Sequence, residues 1–286
     1  MSLAETVLLG GLAGLTIYLG LPFGRLSMVS GRARVTLAMF AVGVLAFLFA
    51  EVLVHGFELV EESVEAYSEG GQGIGESAGL LALFAAGFTA GSAGLAVIER
   101  WMQPRRRPAP PIAGGATDAV TIEQAATLVE SRQHASRLAL RTGMTIAAAI
   151  GLHNFAEGLA IGVSASTGEI SLATVLIVGF ALHNATEGFG IIGPLGNVRP
   201  SWGWLALAGL VGGGPVFLGA LLGYRVTSEP LELAFYALSA GAILYVIGEV
   251  WTAVRRLGHR ELGLWMLAVG VLIGALTELV VVYGGA

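Results

Sequence analysis

No cysteine and no lysine occur anywhere in the chain, and only 12% of its residues are charged. The missing cysteine excludes disulfides, iron–sulfur clusters and thiolate-held metals, and leaves the redox compartment unreadable. With six methionines and no thiol, a soft copper(I) site lacks its ligands. All 15 basic residues are arginine, which reads as coding bias rather than function. The charged fraction is about half that of a soluble domain. Alternating segments of about ten residues, which a transmembrane β-barrel needs, are missing too. So is a basic leader: Glu5 stands where a cleavable signal peptide would be positively charged.

What is present is apolar. Hydrophobic residues make up 55% of the 286, and mean hydropathy is +0.78. Runs of roughly 18 or more apolar residues recur along the whole length. These observations predict an all-α polytopic membrane protein with eight spans, at about 5–22, 35–57, 77–98, 142–164, 171–193, 203–223, 231–251 and 262–283. Residues 1–98 then hold spans one to three, 99–141 form a cytoplasmic loop, and 142–286 hold spans four to eight. The lipid bilayer is the expected surrounding, and no nucleic-acid partner is implied.

Arginine sorts by loop. One set of alternate loops carries Arg25, Arg32 and Arg34, then Arg100, Arg105, Arg106, Arg107, Arg132, Arg137 and Arg141, then Arg199, then Arg255, Arg256 and Arg260. The other set carries only Arg225, so fourteen arginines oppose one. The positive-inside rule therefore puts both termini outside a cytoplasmic membrane and the long third loop in the cytoplasm. The loop between spans two and three is acidic, with Glu58, Glu61, Glu62, Glu65, Glu69 and Glu76. It reads either as an ordinary solvated loop or as an outer mouth whose potential concentrates cations. In the cytoplasmic loop, "QPRRRPAPP" is a stiff basic linker. The pattern turns helical from Thr117 to Arg141, with "TIEQ" resembling a capping box. Glu130 and His134 lie one turn apart there, as a surface pair or a regulatory metal contact.

Inside this apolar background one pattern appears twice. "HNFAEG" begins at residue 153 and "HNATEG" at residue 183. Residues i and i+4 share a helix face, so His153 and Glu157 point one way in span four, as do His183 and Glu187 in span five. Asn154 and Asn184 sit about 100° further round. Antiparallel neighbours bring both motifs to one depth. An ionised glutamate at mid-membrane costs about 2.5–3.5 kcal/mol even on lenient insertion scales. A divalent cation held by two carboxylates and two neutral imidazoles compensates that cost, and the donor set suits zinc or iron(II). The asparagine carbonyls could extend the site to a second position. A single such motif would equally fit a His–Glu hydrogen bond gluing two helices; the repetition favours the cation. Gly151, Gly158, Gly162, Gly179, Gly188 and Gly190 flank the site, and Gly158 with Gly162 forms a G-x-x-x-G that permits close helix approach.

At these motifs the chain resembles the ZIP (Zrt/Irt-like) family of divalent-metal transporters. The eight-span layout, the outside termini and the long loop between spans three and four agree with it. "SAGAILYVIGEV", at 239–250, is similar to that family's seventh-span pattern A-G-A-x-x-Y-V-x-x-E. The resemblance implies import of zinc, with iron(II), manganese or cadmium as other candidates, the metal being transported substrate rather than cofactor. It implies a site of His153, Glu157, His183 and Glu187, and a neighbouring second site using Asn154 and Asn184 and sharing the glutamates. Related sequences carry a glutamate before a proline in the sixth span; Val216 and Phe217 stand near those positions here. One tight site is therefore expected. The pattern also makes Glu249 an exit ligand.

Other intramembrane polar residues carry less. Glu51, His55 and Glu58 have i, i+4, i+7 spacing near the outer end of span two, as a metal relay or as an interfacial capping cluster. Glu278 has no evident partner and fits a snorkelling role. His259 reads as a surface residue beside Arg256 and Arg260. Pro215 should kink the sixth span. The alternative activity is an intramembrane metal-dependent hydrolase, since two His and two Glu can hold a water-activating zinc. The small-residue faces are compatible with a homodimer.

Overall fold

A computed structural model describes residues 1–26, 30–71, 73–102, 122–226 and 228–284. The proline-rich linker and the capping box expected at Thr121 lie outside the described residues. All regular structure among the described residues is helical. In chain order the helices are α1 (Leu3–Leu15), continued by two short 3₁₀ turns to Arg25, and α2 (Gly31–Ser68). Next come α3 (Ile74–Thr89), joined through one π-helical turn to α4 (Leu95–Met102), then α5 (Ile122–Ser166) and α6 (Ile170–Ile192). The last are α7 (Trp202–Gly213), α8 (Pro215–Arg225), α9 (Glu229–Arg255) and α10 (Arg260–Gly284). They build the eight spans, with α3–α4 forming the third and α7–α8 the sixth.

Helix ends follow local chemistry. The Glu5 N–H donates to Ser2 Oγ at 3.3 Å while the Ser2 N–H donates to Glu5 Oε2 at 2.8 Å. Glu5 thus closes a capping box on α1. Ser30 and Ser201 cap α2 and α7 without the reciprocal bond, each accepting an N–H from the first turn. In the sixth span, Pro215 has no N–H to return to the Val211 carbonyl, and the helix divides there into α7 and α8.

Two elements run longer than the sequence pattern suggests. α2 has 38 residues and α5 has 45, so they reach roughly 57 and 68 Å at 1.5 Å per residue. Both exceed the ~30 Å hydrocarbon thickness. The acidic segment expected as a loop is therefore mostly helix: Glu58, Glu61, Glu62 and Glu65 ride on the last turns of α2, and the chain reverses near Gly70 at φ +78°. Glutamate is a good helix former, and hydropathy falls at the membrane surface without the helix having to stop. Ser63 and Ser77, both buried, tie the extension of α2 to α3 by a 3.0 Å hydroxyl hydrogen bond. Likewise the helical stretch expected from Thr117 to Arg141 is continuous from Ile122 into span four.

α5 is the central element, packing on α6, α7, α8 and α9, and 72% of its apolar window is buried against 17% for the eighth span. Its seam with α8 is made of glycines. A Cβ at Gly158 would run into the Val216 carbonyl, and one at Gly219 would stand 3.0 Å from the Gly158 Cα. The G-x-x-x-G thus meets α8 within the same chain, since Gly162 faces Ala220 and Tyr224. A second glycine seam, Gly43 against Gly270, joins α2 to α10. Leu8, Leu12, Leu182, Leu207, Leu272 and Leu276 point outward and exposed, an apolar rim that matches lipid rather than water.

Candidate metal centre

The two repeated motifs fall in the buried middle of α5 and α6. His153 and Glu157 stack one turn apart on α5, and His183 and Glu187 do the same on α6. All four side chains are buried, His153 to 1% exposure and Glu187 to none. They converge. Glu157 Oε1 lies 3.0 Å from His153 Nε2 and 2.6 Å from His183 Nε2, and Glu187 Oε1 lies 3.8 Å from His153 Nε2. The two imidazole rings are 6.4 Å apart, centre to centre.

Three of these residues, His153, Glu157 and His183, cluster closely enough to hold a cation. Donors about 2.0–2.1 Å from a tetrahedral zinc stand roughly 3.3 Å from one another. One donor atom from each of His153, Glu157 and His183 lies within 4.8 Å of the others, so small side-chain adjustments close the shell. The hydrogen-bond inventory points the same way. His153 Nε2, Glu157 Oε2 and Glu187 Oε1 are buried without a hydrogen-bond partner. Leaving such groups unpaired costs about 1–3 kcal/mol each, more when charged, and a cation bound among them would offset that cost.

The remaining contacts hold these donors in place. The other ring nitrogen of His153, Nδ1, meets Ser239 Oγ of α9 at 2.8 Å. With Nδ1–H donating there, Nε2 presents its lone pair to the site. Asn154 donates both amide hydrogens, to Glu187 Oε2 and to the Gly212 carbonyl, each at 3.0 Å. The break at Pro215 bears on this geometry, because the carbonyls at the end of α7 lie beside α5: Gly151 packs against that of Val211. Asn184 donates to the Ala13 carbonyl of α1 at 3.4 Å. Both asparagines are thus engaged through their nitrogens, while both Oδ1 atoms are buried and unpaired. From the sixth span, Val216 is buried against Gly14 and Phe217 faces outward. The surface that α7–α8 turns to the site supplies a carbonyl and no carboxylate.

The other sequence candidates separate. Glu51 and His183 line one small cavity with Phe47, Phe180, Thr277 and Glu278, so α2, α6 and α10 meet there. Its free volume is about 10 Å³, roughly room for one water. Glu278, without a partner on sequence grounds, stands at this approach to the site. His55 is exposed and its Nδ1 sits 2.9 Å from the Glu51 backbone oxygen, and Glu58 is exposed beyond it. Neither reaches the cavity. At the arginine-bearing end, Glu249 is half-buried one turn beyond Tyr245. The Tyr245 hydroxyl donates to Glu99 Oε2 at 2.6 Å, and the Thr142 hydroxyl donates to Glu99 Oε1 at 2.9 Å. Glu130 and His134 have no hydrogen bond or ion pair with each other among the described residues.

Ser239 and Glu99 escaped sequence reasoning. Ser239 opens the seventh-span pattern, and its small hydroxyl is indistinguishable there from a packing residue. Glu99 sits at the edge of an arginine-rich loop, where a carboxylate reads as solvated. Only its burial to 8% exposure reveals the network.

Fold and site together define a polytopic helical membrane protein with a buried carboxylate–imidazole cluster, able to hold a cation, between its fourth and fifth spans. The family described as "ZIP Zinc transporter" matches residues 114–247, which contain both motifs, Pro215 and Ser239. The chain is similar over nearly its whole length to "Zinc transporter ZupT" of Corynebacterium glutamicum. The identity is 28% over 272 residues, covering 93% of this chain and 97% of that protein. Over the segment that holds both motifs the chain is similar to the ZIP family of divalent-metal transporters.

Proposed function

We propose that the chain imports zinc across the cytoplasmic membrane through the site built by His153, Glu157, His183 and Glu187. The observation that carries this reading is the buried cluster of donor atoms from His153, Glu157 and His183, all within 4.8 Å of one another, with Glu187 Oε1 3.8 Å from His153 Nε2. Two imidazoles and two carboxylates form a neutral complex with a divalent cation, and the set suits zinc first and iron(II), manganese or cadmium after it. The relative named a zinc transporter supports zinc as the physiological cargo. Asn154 holds Glu187 in place, and the free carbonyl oxygens of Asn154 and Asn184 are available to a second, weaker cation.

The path runs from the acidic side to the arginine-bearing side. The glutamates on the end of α2 concentrate cations, Glu51 and Glu278 lead to His183, and Glu99 with Glu249 receives the ion beyond the site. The arginine asymmetry favours both termini outside, which makes this direction inward. Passage requires α5 and α6 to shift relative to the other spans. The hydrolase reading is weaker, because a cavity with room for about one water beside His183 leaves no space for a peptide or lipid substrate.

Radiometal uptake into proteoliposomes, with zinc, iron(II), manganese and cadmium in competition, tests the proposal. Saturable zinc uptake that the joint variant Glu157→Ala/Glu187→Ala abolishes is the expected result. Undiminished uptake in that variant would overturn the site, and product formation from lipid or peptide without metal flux would overturn the transport reading.

A further inference from the structure

The molecule has a partly open cavity that metal transport leaves unused. A cavity of about 440 Å³ opens between α2, α9 and α10 at the arginine-bearing end. That size falls within the roughly 300–1,000 Å³ of small-molecule sites. Its inner wall is apolar, formed by Val35 and Met39 of α2, Trp251 of α9 and Leu264 of α10. Its rim is basic, formed by Arg255, His259 and Arg260. Neither Arg255 nor Arg260 has an ion-pair partner among the described residues, and the nearby acid Glu261 does not line the cavity.

The connection between α9 and α10 shapes this rim. Gly258 and His259 both adopt positive φ, +78° and +57°, so the chain reverses sharply and α10 starts at Arg260 across from Arg255. The cavity therefore has a cationic head at the membrane surface and a greasy wall running inward along three spans. Free phosphate would use the head and leave the wall bare. A phosphodiester carrying acyl chains matches both.

We propose that this cavity binds the headgroup of an anionic phospholipid from the leaflet on the arginine-bearing side, with its phosphate between Arg255 and Arg260 and its glycerol and upper acyl carbons against Trp251 and Leu264. Basic pockets between transmembrane helices bind such headgroups elsewhere, and the two guanidiniums here have no internal carboxylate to compete. Bound there, the lipid bridges α2, α9 and α10, none of which carries the four metal donors.

Native mass spectrometry of the full chain tests this, with phosphatidylglycerol and phosphatidylcholine of identical chains offered in equal amounts. The unaltered protein is expected to retain phosphatidylglycerol preferentially. Arg255→Ala/Arg260→Ala should lower that preference about tenfold or more, given about 1 kcal/mol per arginine at an anionic surface. Leu264→Trp, which fills the wall and leaves the charges, should also lower retention. Arg225→Ala, at the opposite end, should not. A matching thermal readout is a rise in Tm on adding phosphatidylglycerol that the double variant lacks. Equal retention of the two lipids by the unaltered protein, or full retention by Leu264→Trp and the double variant, would overturn the proposal. Displacement of the lipid by inorganic phosphate at equal concentration would overturn it as well, since the cavity would then hold a soluble anion.

Discussion

Glu157 on α5 and His183 on α6 meet at 2.6 Å and link the two motif-bearing helices directly. The same carboxylate oxygen stands 3.0 Å from His153. Glu157 therefore joins both imidazoles, and its charge is what two neutral rings need to hold a dication. Glu157→Gln keeps the volume and a hydrogen-bonding oxygen while removing that charge. Zinc affinity should fall by more than the roughly 10–100-fold typical of losing an outer-shell partner. Calorimetric zinc titration of the purified variant reads this directly, and near-unchanged affinity would remove Glu157 from the ligand set.

Ser239 offers a subtler test. It touches no donor lone pair and acts only by holding His153 Nδ1 at 2.8 Å. Ser239→Ala should weaken zinc binding roughly 10–100-fold while leaving the helices intact, and Ser239→Thr should recover much of the loss. Retained affinity in the alanine variant would mean that packing alone fixes the His153 ring.

How much of this was legible beforehand depended on spacing. His153, Glu157, His183 and Glu187 were readable because a four-residue interval in a helix dictates a shared face, and the repetition fixed a common depth. Ser239 and Glu99 are single polar residues with no interval to read, so only the assembled bundle pairs them with α5. The lengths of α2 and α5 are not legible in hydropathy for a physical reason. Hydropathy reports where lipid ends, whereas a helix ends where its backbone bonding ends, and glutamate-rich or arginine-rich turns can continue it into water. The role of Asn154 depended on a different helix altogether, since its acceptor, the Gly212 carbonyl, lies three residues before Pro215.

Acid should inhibit the protein. Zinc binds deprotonated carboxylate and neutral imidazole, so every proton taken up by a donor competes with the ion. Where one proton competes, apparent affinity falls about tenfold per pH unit, and more steeply where two do. Zinc-dependent uptake and zinc-induced thermal stabilisation should therefore both shrink together from pH 7 to pH 5. Uptake that stayed flat over that interval would contradict the donor set.

The glycine seam between α5 and α8 predicts a contrast between two small substitutions. A Cβ on Gly158 meets the Val216 carbonyl and lies 2.9 Å from the Ala220 nitrogen, both backbone atoms that cannot swing aside. Gly248, on the face of α9, has nothing within 4 Å. Gly158→Ala should destabilise by about 1–3 kcal/mol, the usual range for overpacking, and should disturb the site one residue away at Glu157. Gly248→Ala should be neutral or mildly stabilising, because alanine is the better helix former. Equal melting temperatures for the two variants in detergent would show that the seam yields more readily than its geometry implies.

Asn154 separates two roles that the sequence alone could not. If its main work is to clamp Glu187 to the α7 carbonyl at Gly212, then Asn154→Ala strands that carbonyl and frees Glu187. The expected cost is about 1–3 kcal/mol of stability, with a zinc affinity reduced but measurable. If instead its Oδ1 serves a second cation, the number of zinc ions bound per chain should fall from two to one with the first affinity nearly intact. Asn184→Ala supplies the comparison, since Asn184 contacts only the Ala13 carbonyl among its hydrogen-bond partners. Zinc stoichiometry and melting temperature measured on both variants decide between the roles. The clamp predicts that Asn154→Ala loses more stability than Asn184→Ala, because it alone joins α5, α6 and α7 through one amide group. A drop in stoichiometry without that difference in stability would assign the asparagines to the cation.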